Sequence, residues 1–189
     1  MKRVNIIGTT GSGKSTFAVT LANKLGCPYV QLDQLYWKPN WEEASDSGLF
    51  LKLREALVGD CWVLDGNYSR TGHIKWERVD TIVWLDFGFI RTFTQLLMRT
   101  LVRATTKQEL WPGTGNKETF FKSFLSKESI LIWCIKTYGK NRARYSELMQ
   151  SDEYSCIKKY RLQSPKEVND FLRTAHNKSV QPTAGAAAD

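Results

Sequence analysis

Histidine is scarce in this sequence, and the cysteines lack the spacing of a metal site. The chain of 189 residues contains two histidines and four cysteines. No two cysteines are separated by the two residues that are typical of a zinc-binding pair, so a zinc site is not expected. Scattered cysteines without a disulfide framework are typical of reducing compartments. We therefore expect a cytoplasmic protein.

The sequence also lacks an apolar run long enough to span a membrane. ILIWCI, the longest such run near the C-terminal half, covers only residues 130–135, whereas a spanning helix needs about 20 residues. The N-terminal stretch MKRVNIIG has four apolar residues before its glycine, too few for a signal peptide, and is expected to begin a strand. A composition of 42% hydrophobic and 24% charged residues is typical of a soluble globular domain.

The net positive charge of the chain comes from its second half. Residues 1–88 contain 10 basic and 10 acidic residues, whereas residues 89–189 contain 17 and 9. The whole net charge of +8 therefore lies in the second half. This asymmetry indicates an anionic partner, either a nucleotide, a nucleic acid or a membrane surface.

Short apolar segments alternate with segments of helical periodicity. This alternation predicts βαβ units and an α/β fold with a parallel sheet in a single domain over residues 1–176. The polar, unpatterned tail at residues 177–189 is expected to be disordered. The strands are predicted at 2–7, 29–33, 61–65, 80–86 and 155–162, and the helices at 14–25, 48–58, 89–104, 119–138, 141–150 and 164–175.

The first predicted strand leads into a glycine-rich loop, IIGTTGSGKSTF, that matches the pattern G-x-x-x-x-G-K-[ST]. Its glycines allow consecutive amides to point toward an anion, and the helix that follows adds its positive end. The lysine would contact the β and γ phosphates, and the serine hydroxyl suits Mg²⁺. The loop therefore predicts ATP and Mg²⁺ as cofactors, bound by Gly8, Thr9, Thr10, Gly11, Ser12, Gly13, Lys14, Ser15 and Thr16.

The segments GTTGSGKST, LDQLYWKPNW, VLDGNYSR, ELW…GN…ET and SILIWCIKTYGKNRARY together make the chain similar to a known family. It resembles P-loop kinases of the adenylate kinase type and, more narrowly, the DNA topology modulation protein family. The resemblance covers roughly residues 2–175. It implies a P-loop NTPase fold, a five-stranded parallel sheet in the order 2-3-1-4-5 flanked by helices, with a helical lid. It also implies an acceptor-binding insertion at residues 34–60 and a lid at 104–118.

Three aspartates end predicted strands, where an α/β sheet binds its ligands. Asp33 is expected next to the γ-phosphate, where related kinases use an acidic residue to orient or deprotonate the acceptor; the alternative is a turn cap. Asp65 suits a Walker B role, in which it holds Mg²⁺ together with Ser15. Asp86 is a rival for that role, and Asp65 is favoured.

The acceptor site is expected around the insertion and the DGNYSR segment. Aromatic rings in the insertion would stack on a base or a sugar face, although they would equally form a small local core. The segment departs from the DGFPR of adenylate kinases, which makes a nucleoside monophosphate a less secure acceptor. The predicted acceptor-binding residues are Asp33, Tyr36, Trp37, Asp65, Gly66, Asn67 and Arg70, and Trp41 belongs to the same aromatic group.

Phosphoryl transfer requires cations that neutralise the negative oxygens of the transition state. Arg99 and Arg103 are four residues apart and share one helix face. Gly113 and Gly115 interrupt the segment that follows, as in a moving lid. By the resemblance, Arg99, Arg103, Arg142 and Arg144 act in catalysis together with Lys14 and Asp33, although a solvated surface role stays open for each arginine.

These features favour an ATP-dependent phosphotransferase that acts on a nucleotide or another small metabolite. The alternative is a nucleotide-dependent, DNA-associated ATPase, because clustered basic residues also attract nucleic acids. Weak non-specific nucleic-acid binding is compatible with either interpretation. A third class, an inactive kinase fold used for interaction, is disfavoured by the intact Lys14, Ser15 and Asp65.

Overall fold

The computed structural model describes residues 1–106, 109–117 and 129–175. Within them the strands are β1 Arg3–Gly8, β2 Tyr29–Gln31, β3 Trp62–Asp65, β4 Thr81–Leu85 and β5 Lys158–Leu162. The helices are α1 Lys14–Leu25, α2 Leu32–Tyr36, α3 Asp46–Ala56, α4 Gly72–Arg78, α5 Phe89–Thr106, α6 Ile130–Gln150 and α7 Pro165–Thr174. The predicted tail and the ET residues of the similarity segment lie outside the described residues.

The five strands form one sheet in the order β2-β3-β1-β4-β5, and every neighbouring pair is parallel. The predicted fold class and strand order are therefore confirmed. In this register Ile6 lies opposite Asp65, and Gly8 lies opposite Leu85. The end of β1 thus sits between the ends of β3 and β4, which places the glycine-rich loop at the centre of the carboxyl edge.

Both faces of the central strands β1, β3 and β4 are covered, which explains why these three strands read as largely apolar runs. On one face, Val63 and Val83 pack with α1 and with Phe171 of α7. On the other, Leu64 and Trp84 pack with residues from α3, α4 and α6. A sheet that is buried on both faces holds its edge residues in fixed positions, and the site is built on that edge.

Several predicted boundaries were wrong. The last strand begins at Lys158 instead of residue 155, and helix α4 was not predicted. The strand expected to end at Asp33 ends at Gln31, and Asp33 lies in the first turn of α2. The helices expected at 119–138 and 141–150 are one helix over the described part, Ile130–Gln150, which continues through Gly139. Contacts on either side of that glycine, from Tyr138 to Phe87 O and from Arg142 to Asp86, fix the helix on the sheet edge and offset its low helix propensity.

The predicted start of the last helix is confirmed. Ser164 caps α7 by accepting a hydrogen bond from the Glu167 amide at 3.2 Å, and Pro165 occupies its first turn.

Among the described residues, no helix combines the length and the apolar character that crossing a membrane requires.

Candidate active site

The loop between β1 and α1 has the backbone of an anion-binding nest. Gly11 and Gly13 have φ angles of 83° and 85°, a region that favours glycine, and Gly13 is the N-cap of α1. A side chain at Gly11 would also collide with α5, because its Cβ would lie 2.7 Å from Thr92 O and from Leu96 Cβ. The residues predicted to bind ATP form this loop and the first turn of α1, where amides and the helix end attract phosphate.

Lys14 is the first residue of α1 and interacts electrostatically with two carboxylates. Its Nζ donates a hydrogen bond to Thr9 O at 3.0 Å. Burial lowers the pKa of Lys14, while the negative charges of Asp65 and Asp33 act in the opposite direction. The ammonium group is therefore within electrostatic reach of both carboxylates, and the structure brings these three predicted residues together.

Asp65 ends β3 and faces the first turn of α1. The Ser15 hydroxyl donates to its Oδ2 at 2.5 Å, and the Tyr29 hydroxyl donates to the same oxygen at 3.3 Å. Burial raises the pKa of Asp65, and the charge of Lys14 and the Ser15 hydrogen bond oppose that rise. Hydroxyl and carboxylate oxygens are the ligands that Mg²⁺ prefers. The donor set of Ser15 and Asp65 therefore fits this ion.

Asp33 is half-buried and approaches the site from α2. The Tyr68 hydroxyl donates to its Oδ1 at 2.7 Å. Burial and the charge of Asp33 raise the pKa of Tyr68, which keeps that phenol protonated and able to donate. The hydrogen bond fixes the carboxylate beside the glycine-rich loop. This contact is not that of a turn cap, because Tyr68 lies in a different loop from Asp33.

The residues after Asp65 connect the glycine-rich loop to α6. Gly66 has a φ of 149° and packs directly on Leu32, so that a side chain there would collide with it. The Asn67 amide donates to Gly8 O at 3.3 Å and also to the Tyr145 hydroxyl of α6. Asn67 was predicted to bind the acceptor, and the structure places it between the phosphate loop and α6.

Arg70 lies at the exposed rim of the insertion. Its guanidinium lies over the Tyr36 ring, 4.7 Å from the centroid, and its Nη1 is 3.1 Å from Asp46 Oδ1. The hydrogen bond to Tyr36 raises the pKa of Arg70, so that it stays a cation. Tyr36 itself is buried and forms the inner wall behind it.

A continuous series of ring contacts runs through the insertion toward Asp33. The Tyr68 and Tyr36 centroids are 5.1 Å apart, those of Tyr36 and Trp37 are 4.9 Å apart, and those of Trp37 and Trp41 are 5.6 Å apart. All three pairs meet edge to face, the arrangement that aromatic pairs prefer. These ring contacts agree with the interpretation of the insertion as a small local core. The series ends at Tyr68, whose hydroxyl is hydrogen-bonded to the Asp33 carboxylate.

The segment 109–117, most of the described part of the predicted lid, packs on this insertion. The buried Asn116 accepts from the Trp41 amide and donates to Lys38 O, both at 2.9 Å. The ring of Trp111 lies 5.9 Å from that of Trp41. Asn40 and Trp41 have φ angles of 59° and 61°, a region that asparagine tolerates but that is strained for the bulky tryptophan. Asn116 therefore holds the insertion in a strained conformation.

Asp86 is bound by arginines, in contrast to Asp65. Its carboxylate, 3% exposed, accepts from Arg142 Nε at 3.0 Å and from Arg161 Nη2 at 2.5 Å. Two guanidinium groups thus occupy the oxygens that a metal ion would need. Arg142, predicted as a catalytic residue, lies in this ion pair with about half of its side chain exposed.

The other predicted arginines lie on α5 and α6. Arg99 of α5 is close enough for its charge to contribute to lowering the pKa of Lys14. Arg103 follows one turn later on α5. Arg144 donates to the Tyr145 hydroxyl at 3.1 Å and is exposed.

Several residues that touch the predicted site were not identified from the sequence. Tyr29 begins the strand that pairs with β3, so the predicted strand order would have placed it near Asp65. The DGNYSR motif contained Tyr68 without indicating its role. Nothing in the local pattern identified Asn116, because a single buried amide has no periodic signature. The missed contacts are those of Tyr29, Tyr68, Asn116, Tyr145 and Arg161.

Comparison with known proteins adds evidence on the fold. No known family matches the sequence, and no curated protein matches it. A gluconokinase from Sinorhizobium meliloti 1021 is 14% identical, with a TM-score of 0.50 over 91% of this chain and 87% of that one. A sugar kinase from Janibacter sp. HTCC2649 is also 14% identical, with a TM-score of 0.50 over 92% and 93%. The chain therefore has the P-loop kinase-like fold of these structures.

Proposed function

We propose that this protein transfers the γ-phosphoryl group of ATP to a nucleotide or another small metabolite. The observation that carries the proposal is the convergence of Lys14, Ser15, Asp65 and Asp33 at the carboxyl ends of β1, β2 and β3. The names of the two similar structures, a gluconokinase and a sugar kinase, support a small acceptor. The narrower resemblance to the DNA topology modulation protein family rests on its motifs.

The roles of the residues follow from their positions. The amides of the glycine-rich loop and Lys14 would bind the phosphates, and Ser15 and Asp65 would hold Mg²⁺, which would supply neutralisation of the phosphate charge. Asp33 accepts the proton of the acceptor hydroxyl. As the new P–O bond forms, the bond between the β and γ phosphates breaks, and ADP carries away its electron pair. Tyr68 fixes Asp33 for this step.

In the same proposal, residues 1–176 form one domain. Within it, residues 34–60 are the acceptor insertion and residues 104–118 are the lid. Arg99 is the arginine best placed to neutralise the transferred group, because its charge already acts on Lys14. Arg142 would have to leave Asp86, or act beside it. Arg70 would bind an anionic group of the acceptor at the rim.

The test is a screen of small metabolites and nucleotides for conversion of Mg·ATP to ADP, with the product identified by mass. One acceptor that gains the mass of a phosphoryl group establishes the reaction. Double-stranded DNA is tested in the same assay. If DNA and no metabolite accelerates ATP consumption, the kinase proposal fails and the DNA-associated ATPase replaces it.

A further inference from the structure

Two cysteines face each other on the sheet edge opposite the candidate active site. Tyr29 of β2 lies opposite Val63 of β3, and the Val63 amide donates to Pro28 O at 2.9 Å. Extending this register by two residues toward the strand starts places Cys27 opposite Cys61. Adjacent strands lie about 4.8 Å apart, within the Cα separation of about 4.4–6.8 Å that a disulfide requires.

The side chains of both cysteines point to the same face of the sheet. Cys27 is part of the buried cluster that contains Phe17 and Val63, and Cys61 packs against the same cluster. Both are free thiols, one buried and one partly exposed. Each precedes the first residue of its strand, and Cys27 follows Gly26, the left-handed C-cap of α1. The small shift that a bond would need therefore falls outside the strands.

We propose that Cys27 and Cys61 form an intramolecular disulfide when the protein meets a low-molecular-weight disulfide such as oxidised glutathione. The more accessible Cys61 thiolate attacks the glutathione disulfide, and one glutathione thiol leaves. Cys27 Sγ then attacks Cys61 Sγ, the S–S bond forms, and the second glutathione thiol leaves. Two protein thiols are oxidised, one disulfide is reduced, and the two cysteine protons end on glutathione.

The order of attack follows from the surroundings of the two groups. Burial raises the pKa of Cys27 to about 12, and a contact with the Cys61 thiol adds to the rise. Reactive cysteines are accessible thiolates, and buried ones are inert until a partner reaches them. Cys61 therefore reacts first, and Cys27 resolves the mixed disulfide. The closed loop, residues 27–61, contains the whole acceptor insertion and links the end of α1 to the start of β3.

The test uses the full chain, reduced, desalted and incubated with oxidised glutathione. Free thiols are then alkylated under denaturing conditions and mapped by mass. Alkylation of two cysteines instead of the four in the chain, with a peptide that links Cys27 to Cys61, establishes the disulfide. The oxidised form should melt roughly 5–15 °C higher, as expected for a loop of this length.

Matched variants separate this bond from other oxidation. Cys156→Ser removes an exposed cysteine and should leave the linked peptide unchanged. Cys61→Ser and Cys27→Ala should each abolish it. Alkylation of all four cysteines after treatment, glutathione retained on Cys27 or Cys61 without a link, or a disulfide through Cys156 would each overturn the proposal. None of these results depends on ATP or on an acceptor.

Discussion

The Ser15 hydroxyl donates a hydrogen bond of 2.5 Å to Asp65 Oδ2, and so joins the first turn of α1 to the end of β3. If these oxygens hold Mg²⁺, Asp65→Asn should weaken the apparent Mg²⁺ affinity of ATP turnover roughly 10- to 100-fold, the usual loss when a group around a metal is changed. Titration of the steady-state rate with Mg²⁺ at saturating ATP measures this shift.

Asp86→Asn is the matched control for Asp65. It breaks the ion pairs with Arg142 and Arg161 and should reduce the free energy of unfolding by about 1.5–3 kcal/mol, the range for hydrogen bonds to charged groups. The Mg²⁺ dependence should stay that of the unmodified protein. A shift in Mg²⁺ affinity that is larger for Asp86→Asn than for Asp65→Asn would mean that Asp86, and not Asp65, holds the metal ion.

Lys14→Ala should lower ATP affinity. The side chain is half-buried, lies within electrostatic range of the Asp33 and Asp65 carboxylates, and would contact the β and γ phosphates. Its loss should weaken binding roughly 10- to 100-fold, the equivalent of one charged hydrogen bond. Binding of a fluorescent ATP analogue measures the change. Lys24→Ala, on the exposed last turn of the same helix, should bind ATP normally; equal losses in both variants would contradict the assigned role.

Asp33→Asn should leave ATP affinity nearly unchanged and suppress transfer. A general base contributes about 10²- to 10⁴-fold to a rate, and the amide cannot accept the proton. Tyr68→Phe removes the 2.7 Å hydrogen bond that orients the carboxylate and should cost about 10-fold in kcat, equivalent to one hydrogen bond. Comparing analogue binding with single-turnover transfer separates the two effects. If ATP binding collapses in Asp33→Asn, the residue serves the metal or the fold.

Asn116→Ala should loosen the insertion without affecting the sheet. It leaves the Trp41 amide and Lys38 O without the partners seen here, at a cost of about 1–3 kcal/mol each when such groups stay buried. Hydrogen exchange of residues 37–41 should accelerate, whereas that of β1 and β3 should not change. Asn23→Ala, at an exposed position on α1, is the control. Unchanged exchange at 37–41 would mean that Trp111 alone holds the segment.

Lys75 predicts a pH dependence of stability. Its side chain is 1% exposed and donates to Tyr68 O at 3.2 Å. Burial, assisted by the charge of Arg144, lowers its pKa from 10.5 to about 7. Between these two values the unfolded chain binds a proton that the folded chain has released. The Lys75 contribution to the unfolding free energy therefore rises with pH from 7 toward 10.5, by at most about 1.4 kcal/mol per unit.

Lys75→Met removes this contribution. In denaturant titrations from pH 6 to 9, the stability of the unmodified protein relative to Lys75→Met should be lowest and constant below pH 7 and should increase above it. Lys52→Met, at an exposed position of α3, should follow the unmodified protein at every pH. Parallel curves for the unmodified protein and Lys75→Met would show that Lys75 does not titrate in this range.

The sequence by itself determined the glycine-rich loop and the positions of the buried strands, whereas the strand order was implied by the resemblance to P-loop kinases. The loop is a local structure, because its glycines, its lysine and the helix that follows are consecutive, and apolar runs between turn residues identify strands buried on both faces. Asp65 was also identifiable, because it ends such a run. The end of β2 was misplaced by two residues, since LDQLY turns into α2 where packing of Leu32 and Tyr36 outweighs strand periodicity.

Only the tertiary structure decided which groups fix the carboxylates and the insertion. Tyr29, Tyr68 and Asn116 form hydrogen bonds with partners 35 to 78 residues away. No periodic pattern in the sequence predicts such a contact for a single hydroxyl or amide side chain. The same holds for Asp86, whose position after β4 resembles that of Asp65 until two arginines are seen on it. Local patterns determine the backbone of the glycine-rich loop, whereas long-range packing determines the orientation of each acid beside it.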